Sequence, residues 1–209
     1  MAGTSIRVVP MRADQRERAA EVFARAFLSD PAMVATFPDS DERTRVMRVM
    51  GNWNIRLGET FGEVFVTAGE VDGVLTLFSS EREEELEEQI FDTYGSMPDE
   101  MGPEAWERNE AMGRLWEIPH EAMKAAVAEP HWYLDLLAVD PDRQGMGIGS
   151  TLLQVVNARS DADGRPCALF TFTERNVGLY QRHGYEIVAE GEAPLMPLHY
   201  WCLKRPSAR

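Results

Sequence analysis

The chain has 209 residues, of which 21 are Lys or Arg and 35 are Asp or Glu, giving a formal net charge of −14. A chain this acidic repels a phosphate backbone or an anionic membrane face unless it carries a local basic patch, and its sequence contains no such patch. We therefore expect no nucleic acid and no membrane among its partners. The apolar share of 44% is ordinary for a globular domain and too high for an acidic disordered chain.

The sequence also bears on compartment and metal content. No apolar run approaches the roughly 20 residues that span a bilayer, and the start, Met1 to Ser5, lacks a charged segment followed by an apolar one. A cytoplasmic protein is the resulting expectation. Cys167 and Cys202 lie in apolar stretches without CxxC or Cys/His ligand spacing, which favours reduced structural thiols over a disulfide framework or a zinc site. The four histidines lack metal-ligand spacing, so we expect no metal.

The first part of the chain alternates short strands with helices. No repeat or low-complexity linker divides the sequence, which predicts one domain over residues 1–209. The elements predicted before residue 80 are a strand at 6–10, a helix from Asp14 to about Asp30-Pro31, a helix over about 41–57, and a hairpin of strands 63–68 and 73–79.

Residues 81–130 differ in character, because a run of acidic residues is followed by tryptophans and methionines in helix-favouring sequence. We interpret them as a helical insertion between strands three and four. The elements predicted after it are a strand at 132–139, a helix at 147–160, a strand at 167–173, a helix at 176–183, and strands at 185–190 and 200–204. This alternation is typical of an α/β domain.

A glycine-rich turn follows the fourth predicted strand, in the stretch LDLLAVDPDRQGMGIG that runs from Leu134 to Gly149. Alternate glycines remove side chains that would block a ligand, and the following helix N-terminus presents backbone N–H groups to an anion. The dinucleotide motif would need glycine at Ser150, and the Walker loop would need lysine at Gly149, so neither motif fits. A phosphate or pyrophosphate is the expected occupant, and the alternative is a turn without a ligand.

Two signatures resemble those of the GNAT superfamily of N-acyltransferases. The spacing Gln144-x-x-Gly147-x-Gly149 resembles the acyl-CoA pyrophosphate loop of that superfamily. The stretch RNVGLYQRHGY, from Arg175 to Tyr185, resembles its second signature, in which an asparagine and a tyrosine lie on a short helix that ends at glycine. The resemblance implies an α/β fold of the α+β kind, with a mixed sheet, helices on both faces, and acetyl-CoA as acyl donor.

Within that superfamily, the sequence looks like the puromycin N-acetyltransferase branch. The likeness lies in the stretch EPHWY at 129–133, the pair Arg175-Asn176 and the ending YWCLKRP at 200–206. It covers mainly the last 80 residues and therefore bears on the reaction type more than on the acceptor.

The resemblance also implies roles along strand four and the loop. Strand four would splay from strand five so that its backbone pairs with the pantetheine arm, and the N–H of Leu137 would stabilise the oxyanion. The residues predicted to bind the cofactor are Leu137, Ala138, Val139, Arg143, Gln144, Gly145, Met146, Gly147, Ile148, Gly149, Ser150 and Asn176.

Two further side chains are candidates for proton transfer. Tyr180 lies four residues after Asn176, on the same helical face, and a phenol with a pKa of about 10 suits protonation of a thiolate whose acid titrates at about 8.5. The alternative for Tyr180 is a core tyrosine. Asp135 is an isolated carboxylate in an apolar strand and is a candidate general base or anchor for a cationic acceptor. The alternative for Asp135 is a strand-edge residue or an arginine partner, and the resemblance lends its catalytic role no support.

These observations predict an N-acetyltransferase that moves an acetyl group from acetyl-CoA to a primary amine of a small molecule, such as an aminonucleoside or another antibiotic-like amine. Two alternatives stay open: a non-catalytic acyl-CoA-binding or sensing module, and a protein N-terminal or lysine acetyltransferase. We expect the insertion to cover the acceptor site, with Trp106, Trp116 and the methionines either forming an apolar acceptor pocket or packing the insertion onto the core. The sequence leaves the oligomeric state open, a homodimer included.

Overall fold

The computed structural model describes residues 6–193 and 198–208, so the segment Met1 to Ser5 lies outside the described residues. The strands are β1 (Val8–Pro10), β2 (Glu63–Thr67), β3 (Gly73–Ser79), β4 (Trp132–Val139), β5 (Cys167–Thr171), β6 (Glu186–Ala193) and β7 (Leu198–Arg205). The helices are α1 (Arg16–Phe27), α2 (Pro31–Thr36), α3 (Ser40–Phe61), α4 (Glu83–Thr93), α5 (Met97–Met101), α6 (Pro103–Ala126), α7 (Ile148–Asp163) and α8 (Glu174–Arg182).

The seven strands form one mixed sheet in the order β1-β2-β3-β4-β5-β7-β6. All neighbouring pairs are antiparallel except β4 and β5, which are parallel. The predicted α/β fold with a mixed sheet is therefore confirmed. The insertion consists of α4, α5 and α6 and lies between β3 and β4, as predicted.

Helices cover both faces of the sheet because β2, β3 and β4 carry apolar residues on both sides. On one face, α1, α3, α5 and α6 bury a core with β2, β3 and β4 that includes Val66, Val74 and Leu136. On the other face, α7 and α8 pack on β3, β4 and β5 around Leu134, Leu152 and other apolar side chains. Within the described ranges, no helix combines the length and hydropathy needed to cross a bilayer.

Several element boundaries differ from the predictions. The first predicted helix corresponds to α1, which ends at Phe27, and the sequence analysis did not predict α2, which begins at Pro31. The carboxylate of Asp30 accepts hydrogen bonds from the amides of Ala32 and Met33 and so caps α2. The second predicted helix is longer than 41–57, since α3 runs from Ser40 to Phe61.

Close packing of α1 on α3 depends on Gly51, and we expect Gly51→Ala to lower the free energy of unfolding. A Cβ at Gly51 would lie 2.5 Å from the carbonyl oxygen of Ala20 and 3.1 Å from the Phe23 ring. Overpacking of this kind costs about 1–3 kcal/mol. Gly113→Ala at an exposed position of α6 is the matched control, because nothing outside the helix's own backbone and the adjacent residues lies within 4 Å of the new methyl group and helix propensity favours Ala. Urea denaturation that gives Gly51→Ala at least the parental stability would contradict this account.

Candidate active site

A β-bulge in β4 determines where the Asp135 carboxylate lies. Leu136 pairs with Thr76 of β3 and Leu134 pairs with Leu77, so Asp135 is the extra residue on β4. Leu134 packs on the α7 face, whereas Leu136 packs on the opposite face, against α1 and α3. Asp135 lines a cavity on that second face. The bulge therefore turns a carboxylate toward the α3 side without moving Leu136 out of the core.

Strands β4 and β5 separate soon after they begin. Their register contains only the pairs Trp132 with Cys167 and Tyr133 with Ala168, so in the described part of the sheet β4 has no β5 partner beyond Tyr133. The gap lies next to Leu137 and Val139. A strand edge without a neighbour offers hydrogen-bonding groups to a ligand.

The backbone N–H groups of β4 point alternately toward β3 and toward this gap. The N–H of Asp140 donates to the carbonyl oxygen of Asp72, 2.8 Å away, which directs it toward β3. Because N–H groups alternate along a strand, those of Leu137 and Val139 point toward the gap, and that of Ala138 points toward β3. Of the three predicted pantetheine partners, Leu137 and Val139 therefore present backbone groups to the gap, and Ala138 contributes to the core.

The loop after β4 leads into α7 with two left-handed glycines. Gly145 and Gly147 have φ angles of +77° and +85°, a region that side chains rarely adopt. Gly147 is the N-cap of α7, and no side chain among the described residues caps that end. The first turn of a helix has N–H groups without intrahelical acceptors, so this exposed N-terminus can bind an anion.

Ion pairs that the sequence analysis missed hold the start of this loop. Asp140 is 1% exposed, and its carboxylate lies 2.6 Å from the Arg18 guanidinium and 2.8 Å from that of Arg25. Burial alone would raise the pKa of Asp140, but the amide of Asp142 and the two arginines outweigh it and lower that pKa. Since Arg18 and Arg25 both lie on α1, the loop is anchored to the opposite face of the sheet.

Two predicted loop residues already have partners within the protein. The Arg143 guanidinium lies 3.6 Å from Asp72 and 3.7 Å from Glu70. The Gln144 amide donates to the Val139 carbonyl at 3.2 Å. A ligand in the loop would therefore compete with these contacts. Met146 is 60% exposed, Ile148 is buried, and Ser150 is half-buried in the first turn of α7.

Asn176 and Tyr180 lie on α8, one turn apart. Asn176 is half-buried, and Tyr180 is buried with its ring centroid 5.7 Å from that of Tyr185. Burial raises the pKa of the Tyr180 phenol far above its usual range. The close match between the pKa of Tyr180 and that of a leaving thiol, which the sequence suggested, is therefore weaker. The position of Tyr180 on α8 is the remaining argument that it donates a proton.

The cavity beside Asp135 has a volume of about 260 Å³ and lies between the sheet, α3 and the insertion. Asp135 is half-buried, and burial raises the pKa of its carboxyl group to about 7. General bases operate best when their pKa lies near the working pH. Asp135 therefore lines a cavity and has a pKa in the range that a general base needs.

The insertion contributes part of the predicted pocket. Trp116 and Met123 on α6 line the cavity. Trp106 instead packs on Tyr94, with ring centroids 5.0 Å apart, in the core beneath α3. Three more methionines of the insertion, Met97, Met101 and Met112, are buried in that same core. The insertion therefore both lines the cavity and packs on the core, and the role of the cavity as an acceptor pocket stays a prediction.

Sequence reasoning missed Tyr133 and the polar cluster of Glu83, His120 and Lys124. Tyr133 lines the cavity, and burial raises the pKa of its phenol well above the usual range, with the Asp135 charge adding to the shift. Glu83 lies 3.1 Å from the Lys124 ammonium and 3.4 Å from the His120 ring. No spacing pattern could have indicated that α4 and α6 bring these side chains together.

The described residues contain no group of three or more His, Cys, Asp or Glu side chains arranged to hold a metal ion. Cys167 and Cys202 are buried free thiols.

The gap beside β4 and the glycine loop at the N-terminus of α7 are the two backbone features that the resemblance to GNAT acyltransferases implies. Residues 105–187 match the family model described as an acetyltransferase (GNAT) domain. Over these residues the chain is therefore similar to GNAT acetyltransferase domains, and this match supports an acetyl-CoA-dependent acyltransferase.

Solved structures with the same fold include several acetyltransferases. One, described as histone acetyltransferase HPA2 and related acetyltransferase from Corynebacterium glutamicum, has 21% identity and a TM-score of 0.67, with 99% of this chain and 98% of that chain covered. The polyamine N-acetyltransferase of Drosophila melanogaster has 15% identity and a TM-score of 0.63, with 97% and 100% covered. The mosquito arylalkylamine N-acetyltransferase like 5b has 16% identity and a TM-score of 0.63, with the same coverage.

Proposed function

We propose that this protein transfers the acetyl group of acetyl-CoA to a primary amine of a small molecule. The observation that carries the proposal is the bulge that directs Asp135 into a cavity beside the β4–β5 gap. Donor and acceptor could then meet from opposite faces of the sheet in one ternary complex. The polyamine and arylalkylamine acetyltransferases with the same fold act on small amines, by their descriptions, which agrees with this proposal.

The loop residues fit the acyl donor. The uncapped N-terminus of α7, with Gly145 and Gly147 before it, would hold the pyrophosphate through backbone N–H groups. Leu137 and Val139 would pair with the pantetheine arm, and Asn176 would contact it from α8. When bound, acetyl-CoA supplies a thioester carbonyl for the amine to attack and a thiol as the leaving group.

The chain's own groups account for the proton transfers. The ionised Asp135 carboxylate accepts a proton from the amine, directly or through water, as nitrogen bonds to the carbonyl carbon. The Leu137 N–H stabilises the negative charge that develops on the carbonyl oxygen. Tyr180 donates its phenolic proton to sulfur as the carbon–sulfur bond breaks and regains one from solvent. The net products are an N-acetylated amine and CoA thiol.

The alternatives are less well supported by the site. A non-catalytic acyl-CoA-binding module needs the loop but neither an acceptor cavity nor a carboxylate with a pKa of about 7. A protein acetyltransferase needs an open peptide groove, whereas α4 and α6 cover this cavity. The narrower resemblance to puromycin N-acetyltransferases, the cytoplasmic location, the lack of nucleic acid and membrane partners, and a homodimer remain predictions.

We expect Gly149→Glu to weaken CoA binding severely and Gly149→Ala to leave it close to parental. A Cβ at Gly149 would lie 3.7–3.8 Å from Leu179, Leu137 and Val139, which is ordinary contact, so alanine fits. Glutamate adds a bulky anion where the helix N-terminus favours a phosphate. Calorimetric titration with CoA measures both variants. Equal affinity of Gly149→Glu and the parent would exclude this loop as the pyrophosphate site.

A further inference from the structure

The cavity beside Asp135 is walled by aromatic rings from five elements of the fold. These rings belong to Trp53, Phe61, Phe78, Trp116, Tyr133 and Phe170. Several already contact one another: the Trp116 ring meets the Phe170 ring edge to face with centroids 6.2 Å apart, and the Tyr133 ring stacks on Phe170 at the same distance. Aromatic walls of this kind favour a planar ring, which can adopt the same stacked and edge-to-face contacts.

Charge is distributed unevenly around this cavity. Within the part of the chain that the structure describes, no Lys, Arg or His nitrogen lies within 4 Å of the Asp135 carboxylate. The two cations in the wall are already bound, because Arg82 pairs with Glu85 at 2.9 Å and Lys124 with Glu83 at 3.1 Å. Burial lowers the pKa of His120, which keeps that ring neutral near pH 7. A ligand ammonium therefore has an unpaired carboxylate to meet, and a ligand carboxylate has no unpaired cation among these wall residues.

We infer that the acceptor is a primary arylalkylamine without a carboxylate, held with its amine at Asp135 and its ring among the aromatic side chains. This inference rests on the proposed function and names the substrate class of the same site.

Size and polarity separate this class from the other amines. A cavity of about 260 Å³ is at or below the ~300 Å³ at which pockets for drug-sized ligands begin. A polyamine or aminoglycoside would bury further ammonium groups against apolar walls, at a large desolvation cost. An aminonucleoside brings a ribose and a base, which make a larger and more polar ligand than a single aromatic ring for a cavity of about 260 Å³.

The test measures CoA thiol release by the parental enzyme with amines that differ in one feature. 2-Phenylethylamine is compared with 2-cyclohexylethylamine, which keeps the chain and removes the aromaticity, and with phenylalanine, which adds a carboxylate. Aromatic contacts predict that kcat/KM is about threefold to tenfold higher for the phenyl than for the cyclohexyl compound. Burying an unpaired carboxylate predicts a loss on the order of 100-fold or more for phenylalanine. Spermidine and a lysine-containing peptide complete the panel.

Two tryptophans on α6 provide a matched pair of variants. Trp116→Leu, which alters the cavity wall, should raise the KM for 2-phenylethylamine and reduce its advantage over the cyclohexyl compound, with the KM for acetyl-CoA unchanged. Trp106→Leu removes an equally large ring from the core outside the cavity and should leave that selectivity at the parental ratio. An equal effect of both variants on selectivity would overturn the assignment of Trp116 to the acceptor wall.

The outcomes for the inference and for the proposed function differ. Thiol release with spermidine or the peptide but not with 2-phenylethylamine overturns the inference and leaves the acetyltransferase intact. Efficient use of phenylalanine also overturns it. Thiol release with none of the amines, by an enzyme that binds CoA in calorimetry, overturns the proposed function and the inference with it. These measurements use the parental enzyme, so they stand even if Trp116→Leu does not fold.

Discussion

Asp135→Asn is expected to lower kcat/KM by about 10² to 10⁴ above pH 7, the usual contribution of a positioned general base. Burial raises the pKa of this carboxyl to about 7. In the parental enzyme, kcat/KM should therefore rise with pH through about 7 as Asp135 loses its proton, and the variant should lack that limb. The measurement is a pH profile with a verified amine acceptor.

Although Asp135→Asn should lower activity, it should increase the stability of the folded protein above pH 7. Between pH 4 and 7 the folded protein retains a proton on Asp135 that the unfolded chain, with an ordinary aspartate pKa, has lost. Stability of the parent therefore falls as pH rises through this window and stays at the lower level above it. Asp135→Asn avoids that cost and should be more stable at pH 8 by up to about 4 kcal/mol, with no gain near pH 4. Urea denaturation at the two pH values measures the difference.

A loss of activity together with a gain in stability would distinguish a buried functional carboxylate from a structural one. Glu88→Gln removes an exposed carboxylate from α4 and controls for the change in net charge. It should change neither the rise of kcat/KM with pH nor the free energy of unfolding. If Asp135→Asn retains the parental pH profile, water or another residue is the base. If the variant is less stable at pH 8, Asp135 has a stabilising partner in solution.

The elements that the sequence predicted well are those whose own residues determine them. The hairpin of β2 and β3 has two short runs of apolar residues around a glycine turn, and the bounds of β4 coincide with the predicted strand at 132–139. The helix that begins at Pro31 was missed for a local reason. Aspartate before proline is a helix N-cap followed by a favoured first residue, so the pair begins α2 and does not end α1.

The candidate site was only partly predictable, because its geometry depends on contacts between distant segments. The bulge at Asp135 arises from pairing with β3, and a run of leucines around Asp135 does not reveal which of them faces α3. The anchoring of Asp140 by Arg18 and Arg25 joins residues more than 100 positions apart. The glycine loop was easier to predict, since left-handed φ angles and a helix N-terminus leave a local pattern in the sequence.

Tyr180→Phe is expected to lower kcat by about 10² to 10⁴ while the affinity for acetyl-CoA stays near parental, if the phenol protonates the leaving thiolate. Phenylalanine keeps the ring and its contact with Tyr185 and removes only the hydroxyl. The free energy of unfolding should therefore change little. Steady-state kinetics with a verified acceptor, CoA calorimetry and urea denaturation of the same preparation separate these three effects.

Because the pKa of Tyr180 is raised, its role as a proton donor is chemically harder to fulfil than the role of Asp135 as a base. A buried phenol that ionises reluctantly donates its proton to a thiolate only if the site stabilises the phenolate or returns a proton quickly. Leaving groups of lower basicity should then depend less on Tyr180, so an acyl donor with a more acidic thiol should narrow the gap between Tyr180→Phe and the parent. A variant within about threefold of the parent with acetyl-CoA itself, far short of the expected range, would make Tyr180 a packing residue and solvent the proton source.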